Sequence, residues 1–574
     1  MSQFSRPPRI QGQDLSSLGS ETNTFGIEQA LSNWKIWRGT LSSAVQGYIT
    51  ASAALSTACA KPLTQPSRRR AIEQALAAID AELESLISER HALEQANLSL
   101  MSTRNASTLL SPIHALPPEI ITRVFTFVHS FYGLGNPQLI PAAHSLAGVS
   151  SYWRKIAISM RLLWSYIRLS SSSKNYEHSQ LLLERSSGHP LYAYVVADDE
   201  DRAKNRLYED DIYPRLQFID KAGPQIDIMN VVLLADYTEP VEKALVRWFN
   251  TDSNQSRKTL CASRPLHEGP IPVEWDWDIF LDPAYDSTLK SIDKLSLDDI
   301  FIPWDSCVYH GLTHLRLSFG ENSALEVTIL ELADILRACP ELETLKIQGG
   351  LVVTSPDGWD ASTVVSLSRL VTLSLIELPH ESYRALLPVL SVSSGQRNLC
   401  VRLDIHSFRD MADVIQNFVR RSPIKTFVSD DSTTENGLEW PLSLVPLMPS
   451  FENMVLVRYG ALDQSIMDRL ASDMSSGDNE EQPSTRRQPI LPHLYLVAND
   501  LGSRQDYIHT IISLYGVQTL HLDNCILFAP PSLQSHGMAE VEARLKASFP
   551  NLACIVGKKD TTADWPCRKS SILK

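Results

Sequence analysis

Leu312-Thr-His-Leu315-Arg-Leu317 and Leu342-Glu-Thr-Leu345-Lys-Ile347 share one spacing: apolar, two residues, apolar, one residue, apolar. The same spacing stands at Ile292-x-x-Leu295-x-Leu297, Leu370-x-x-Leu373-x-Leu375, Phe451-x-x-Met454-x-Leu456, Leu491-x-x-Leu494-x-Leu496, Val517-x-x-Leu520-x-Leu522 and Phe549-x-x-Leu552-x-Cys554. Looser copies surround Ile424–Phe427 and Leu399–Ile405. Apolar residues two apart lie on one face of a strand, so each copy predicts a short strand with an inward apolar face. Helical patterns fall between copies, at Leu325–Ala338, Ser382–Leu390, Met411–Arg421, Tyr507–Leu514 and Ala539–Ser548. One strand and one helix cannot bury such a face alone; stacking of successive units makes the core.

Upstream, Tyr176–Arg185 and Val241–Phe249 read as helices and Leu191–Ala197 and Ile226–Leu234 as strands, while the rest of 200–290 shows no clear pattern. Ser472–Pro489 has only Met474 as an apolar anchor and reads as a disordered insertion. Residues 1–25 read as a loose tail. From Ile27 to Ala60 the residues Leu31, Trp34, Leu41, Val45, Tyr48 and Leu55 recur at helical spacing, until Pro62 and Pro66 end the pattern. A second helix then carries a heptad seam of Ile72, Leu76, Ile79, Leu83, Leu86, Leu93 and Leu100, with Arg90 and Asn97 at two seam positions. Residues 27–104 are therefore a helical hairpin or a coiled coil. Two copies pair through 72–100, or the second helix packs on the first within one chain.

Between these regions, 109–170 begins Leu116-Pro117-Pro118-Glu119-Ile120-Ile121-Thr122-Arg123-Val124-Phe125. Proline suits the first turn of a helix, and Glu119 suits its positive end. Val149-Ser-Ser-Tyr-Trp153-Arg154 follows in a second amphipathic stretch, and Leu162-Leu163-Trp164-Ser165-Tyr166-Ile167-Arg168-Leu169 closes the segment.

This ordered set of features resembles the F-box of fungal F-box-like proteins, and the repeats after it are similar to the divergent leucine-rich repeat region that often follows an F-box. The match covers about sixty residues. It departs from the pattern at Ser150, where cysteine is often seen, and in a long glycine-containing loop at 130–141. The expected fold is thus mixed α and α/β: a helical hairpin or coiled coil (27–104), a three-helix F-box (109–170), then an irregular leucine-rich repeat solenoid (176–574).

The resemblance implies a substrate-recognition subunit of a Skp–cullin–F-box ubiquitin ligase, or a protein-interaction scaffold that does not direct ubiquitin transfer. Its partners would be a Skp-type adaptor, a cullin and a target protein. Leu116, Pro117, Pro118, Glu119, Ile120, Ile121, Val124, Phe125, Val149 and Trp153 would carry the adaptor surface. Ile121, Phe125 and Trp153 would be divided between that surface and the helices' own core. The strand residues that alternate with the inward leucines would face the target. Early copies place polar residues there, among them Lys294, Ser296, Asp298, His314, Arg316, Ser318, Thr344, Lys346 and Gln348. Later copies turn apolar and aromatic, at Val455, Val457, Tyr495 and Val497 with His493 and His521 beside them; either they form an exposed patch of the kind that suits protein binding, or a C-terminal segment such as 561–574 folds over and covers them.

The chain has 574 residues, 43% hydrophobic and 21% charged, with a net charge of −14. A net acidic chain gains no counterion-release attraction to nucleic acid. The longest apolar run, Leu191–Ala197, is far short of the roughly 20 residues of a membrane span. Eight cysteines are scattered singly and read as buried thiols in a reducing compartment, without a disulfide framework. With no signal-peptide core, cytoplasm or nucleus is the expectation. His380-Glu381-Ser-Tyr-Arg384 lacks the second histidine of a zincin helix, and no phosphate loop or nucleophile elbow is present. No enzyme activity, cofactor or metal is expected.

Overall fold

The computed structural model describes residues 23–59, 66–106, 113, 116–132, 142–169, 174–197, 213–233, 239–251, 257–264, 278–320, 325–354, 364–392, 398–404, 411–430, 439–448, 451–458, 490–499, 506–525 and 538–557. The expected insertion at 472–489 and most of the expected tail lie outside these residues. The chain divides into two compact units, residues 1–110 and 111–574.

The first unit is two long helices, α1 (Asn23–Cys59) and α2 (Pro66–Ala106). Hydroxyls inside α1 turn back onto the preceding turn: Thr40 Oγ1 donates to Ile36 O at 3.1 Å and Thr50 Oγ1 to Gln46 O at 2.9 Å, so neither interrupts the helix. None of the described side chains of this unit is buried. Leu31, Trp34, Leu41, Val45, Tyr48 and Leu55 of α1 are exposed, and so are the seam residues Leu76, Leu83, Leu93 and Leu100 of α2. The other seam residues, Ile72, Ile79 and Leu86, are half-buried, so the helical periodicity is realised and the stripe is covered only in part within the unit.

The second unit is built on a fourteen-stranded parallel sheet whose strands follow one another in chain order. They are β1 (Tyr166–Leu169), β2 (Leu191–Ala197), β3 (Ile226–Leu233), β4 (Lys258–Ser263), β5 (Ile292–Asp298), β6 (His314–Phe319) and β7 (Thr344–Gly349). Then come β8 (Thr372–Ile376), β9 (Leu399–Asp404), β10 (Ile424–Asp430), β11 (Asn453–Val457), β12 (His493–Val497), β13 (Thr519–Asp523) and β14 (Ala553–Gly557). All eight copies of the repeat, and both looser ones, end on strands of this sheet. The sheet also begins earlier than expected. Tyr166–Leu169, read as the close of the helical segment, is its first strand, and Lys258–Ser263 is a strand within the stretch that showed no clear pattern.

Register explains the spacing. Ile167, Ala193, Met229, Leu260, Leu295, Leu315, Leu345, Leu373, Val401, Phe427, Met454, Leu494, Leu520 and Cys554 pair neighbour to neighbour across the whole sheet, and every one is buried. Helices pack their apolar faces on this side: Val241, Leu245 and Trp248 from Glu239–Phe249, Leu332 and Leu336 from Ile329–Arg337, and Ile415, Phe418 and Val419 from Ala412–Arg421. One core runs without a break from Ile121 to Cys554. The segment expected to be a separate domain at 109–170 therefore shares its core with the sheet, through Leu163, Trp164 and Ile167.

Two local expectations change. Leu325–Ala338 is not one helix, because Leu325–Thr328 is a strand paired with Leu351–Thr354. The helix starts at Ile329, where Thr328 and Glu331 form a capping box: Glu331 N–H donates to Thr328 Oγ1 at 3.2 Å and Thr328 N–H to Glu331 Oε2 at 2.9 Å. Pro388 lies inside His380–Val389, and the carbonyls of Leu387, Pro388 and Leu390 accept from the Arg421 guanidinium, which supplies donors where the helix runs out of them.

Cys261, Cys339 and Cys554 are buried free thiols as expected, and burial pushes Cys261 up to about 12; Cys59, Cys307 and Cys525 are free but only half-buried. The expectation of unpaired thiols fails at Cys400, on β9, which is disulfide-bonded. Isolated spacing in the sequence gives no sign of a pairing that the fold creates.

Candidate functional site

The expected site residues fall on two surfaces of the second unit: three short helices at its start, and the sheet face opposite the packed helices. The helices are α3 (Pro118–Tyr132), α4 (Ala142–Val149) and α5 (Ser151–Ser159). Pro118 takes the first helical position and Glu119 the first turn of α3. Ser150, the departure from the family pattern, caps α5: its hydroxyl accepts from Trp153 N–H at 3.1 Å. Tyr152 Oη donates to Leu116 O at 3.0 Å, and Arg154 Nε to Ala147 O at 3.0 Å, so α5 is tied to both neighbours.

Helical periodicity divides the expected adaptor residues. Ile121 and Phe125, four apart, both point inward and are 0% exposed, so neither belongs to a docking surface. Trp153 is half-buried against the core, its ring 5.0 Å from that of Phe125 in an edge-on arrangement. The opposite stripe is in solvent: Ile120, Val124 and Phe127 on α3, with Leu116 before it and Val149 at the end of α4. Pro117, Pro118 and Glu119 are exposed beside them. Phe127, the most exposed of these apolar residues at 71%, is missing from the expected set. Its place seven residues after Ile120 is the signal that could have found it.

His144 packs against His178 with centroids 4.3 Å apart and the rings tilted by 43°, and the Arg185 guanidinium lies 4.3 Å over the Trp164 ring. His144 is thus a half-buried residue packed at the junction between helices and sheet. Burial holds both histidines below their usual range, and the nearby Arg185 adds to the effect.

On the free face of the sheet, register aligns Arg168, Tyr194, Asn230, Cys261, Ser296, Arg316, Lys346, Ser374, Arg402, Val428, Val455, Tyr495, His521 and Ile555 in one row. The early part of this face carries two cations, Lys294 and Arg316, and the imidazole of His314, all half-buried on β5 and β6. Burial pulls His314 down to about 4, with Lys294 and Lys346 adding to the shift and Glu343 opposing it. Its middle is an ion-pair network. Arg402 bonds Asp404 and Asp430 at 3.1 Å each, and Arg458 makes two bonds of 2.8 Å to Asp430. Burial raises Asp404 to about 6, against the pull of Arg402.

The expected apolar target patch does not stand open. Val455, Val457 and Val497 are 0%, 3% and 1% exposed, and with Val428 and Cys400 they form a second apolar cluster on the face opposite the main core. Parallel strands roughly 5 Å apart set these β-branched side chains side by side; the segment 561–574, the expected alternative cover, lies outside the described residues. Tyr495, His493 and His521 remain half-buried, with Tyr495 stacked on His521 at 4.1 Å between centroids. The register brings together Val455, Tyr495 and His521 as expected, but only the rings reach the surface.

A further repeat position escaped the sequence reading. Asn499 Nδ2 donates to Leu456 O at 3.0 Å, and Cys525 Sγ to Leu496 O at 3.2 Å, each from three residues past the last apolar position of its copy. Leu491-x-x-Leu494-x-Leu496-x-x-Asn499 and Val517-x-x-Leu520-x-Leu522-x-x-Cys525 carry that signal in plain view.

No protein-family model matches the sequence, and no curated protein is found similar to it. Among the described residues no three histidine, cysteine or acidic side chains gather as a metal site, and no helix is long and apolar enough to cross a membrane.

Proposed function

We propose that the chain is the substrate-recognition subunit of a Skp–cullin–F-box ubiquitin ligase, acting by holding a target and making no bonds itself. In this reading α3–α5 are the F-box and dock on a Skp-type adaptor. The fourteen-stranded sheet is a divergent leucine-rich repeat solenoid whose free face holds the target. Catalytic gain then comes from effective concentration at the ubiquitin-loaded enzyme. One observation carries the proposal: the apolar stripe of Ile120, Val124 and Phe127, flanked by Leu116 and Val149, is exposed on helices whose other faces are already filled by core. Exposed apolar side chains grouped in this way mark a surface made for a helical partner. The ordered Leu-Pro-Pro-Glu-Ile and Trp-Arg features add the family resemblance.

The test is co-purification of the full chain with the adaptor and cullin. Ile120→Glu combined with Val124→Glu should abolish adaptor recovery while leaving the unfolding transition in place, since both residues are about 40% exposed. Leu116→Ala with Pro117→Ala should act in the same direction. Unchanged recovery with the double glutamate variant overturns the reading. Adaptor without cullin would favour a scaffold that directs no ubiquitin transfer.

A further inference from the structure

We propose that the cleft between α1 and α2 is a docking groove for an amphipathic helix of another protein, one with lysines or arginines beside its apolar seam. The inference stands on the two-helix unit alone and does not rest on the ligase reading. The cleft encloses about 940 Å³, lined by Tyr48, Leu55 and Cys59 of α1 and by Leu76, Ile79 and Leu83 of α2. This is the scale of a pocket that takes apolar side chains. Leu55, Leu76 and Leu83 are 40%, 51% and 51% exposed, so the lining is not closed by the chain's own packing. Long helices draw most of their stability from burial of such a stripe, which here is covered only in part within its unit.

Charge selects the occupant. The positions flanking the α2 seam carry Asp80, Glu82, Glu89 and Glu94, and no lysine or arginine stands at a flank between 72 and 100. Glu82 lines the cleft itself. Arg90, the one arginine in this stretch, occupies the seam and already meets Glu94 at 3.4 Å. Two copies paired through α2 would therefore set Glu89 against Glu94 in a parallel arrangement and Glu82 against Glu89 in an antiparallel one. Like charges at these positions reject a pairing, and opposite charges select one. A helix with basic flanks satisfies the seam and the flanks together; a second copy satisfies only the seam. The geometry therefore disfavours homodimerisation through 72–100.

The probe is a synthetic helical peptide of about three heptads with isoleucine and leucine in its seam and lysine at both flanks, titrated into the full-length chain. The same seam with glutamate flanks is the comparison. The lysine peptide should bind at least about tenfold more tightly, with the advantage shrinking as salt is added. Leu76→Asp with Leu83→Asp should remove binding while the helical circular dichroism is retained. Glu82→Lys with Glu89→Lys should reverse the preference between the two peptides, which a merely greasy surface would not do. Equal affinity for both peptides, or binding of neither, overturns the proposal. So does a dimer of the unmodified chain by light scattering that Leu76→Asp with Leu83→Asp dissolves.

Discussion

The two units use the same residue type to opposite ends. In the sheet, Leu315, Leu345 and Leu373 are 0% exposed; in α2, Leu76, Leu83 and Leu93 are each about half exposed. Both sets recur at the period their secondary structure demands. The difference lies in what the next unit of chain supplies. Each strand of the sheet is followed by another in register and by apolar faces from the connecting helices, so its leucines are covered from within. Two helices alone offer no third surface. Periodicity therefore reports which face is apolar, and topology decides whether the chain itself covers it.

The sharpest contrast is between equivalent truncations. Leu345→Ala should cost about 2–5 kcal/mol in urea denaturation, because it leaves a cavity in a ladder closed on both sides. A loss below about 1 kcal/mol would show that the sheet core relaxes freely. Lys258 should give the next largest effect, in the opposite direction. It is 0% exposed, its Nζ has no hydrogen-bond partner, and it sits 4.7 Å over the Trp248 ring. Burial pulls its pKa down to about 8, with Asp227 opposing. A depressed value means that its contribution is complete above the unfolded pKa and is lost as pH falls toward 8. Lys258→Met should thus stabilise the chain by about 1–3 kcal/mol at pH 7, the cation–π contact offsetting part of the charge burial. The gain should shrink between pH 8 and 10.5; a gain independent of pH would place its origin in packing.

A smaller effect is expected at the junction of helices and sheet. His144 and His178 are both held below their usual range, so they support the fold when neutral and oppose it when protonated beside Arg185. Stability should fall as pH drops below the usual histidine range, and His178→Gln should flatten that slope, read from thermal melts across pH 7.5 to 5. The smallest change belongs to the two-helix unit. Leu83→Ala should stay within about 0.5 kcal/mol in the isolated chain, because it removes little that is buried. A basic-flanked helical peptide should turn that neutral substitution into a loss of affinity.

Much of this architecture was legible in the residues. Apolar spacing marked every strand from β5 to β14 and most of the helices, because a two-residue period on a buried face is a strong local constraint. The strand at Lys258–Ser263 was not legible, since Lys-Thr-Leu-Cys-Ala-Ser has a single large apolar residue and gains its place only from β3 and β5 on either side. On the helical face, Ile121 and Phe125 could not be assigned from sequence. Apolar residues at 120, 121, 124 and 125 form adjacent stripes, and only the core behind α3 shows which one is spent.

What the sequence determined by itself is the local pattern: a heptad seam on α2, a proline and Glu119 opening α3, and apolar residues on one side of the strands from β5 to β14. Those follow from the period of the backbone and from side-chain chemistry within one or two turns. The tertiary structure decided the rest. It buried Val455, Val457 and Val497, drew Cys400 into a disulfide, joined the short helices to the sheet in one core, and left most of the large apolar residues of α1 and α2 exposed. Burial and pairing depend on residues far apart in the chain, and only the fold sets the distance between them.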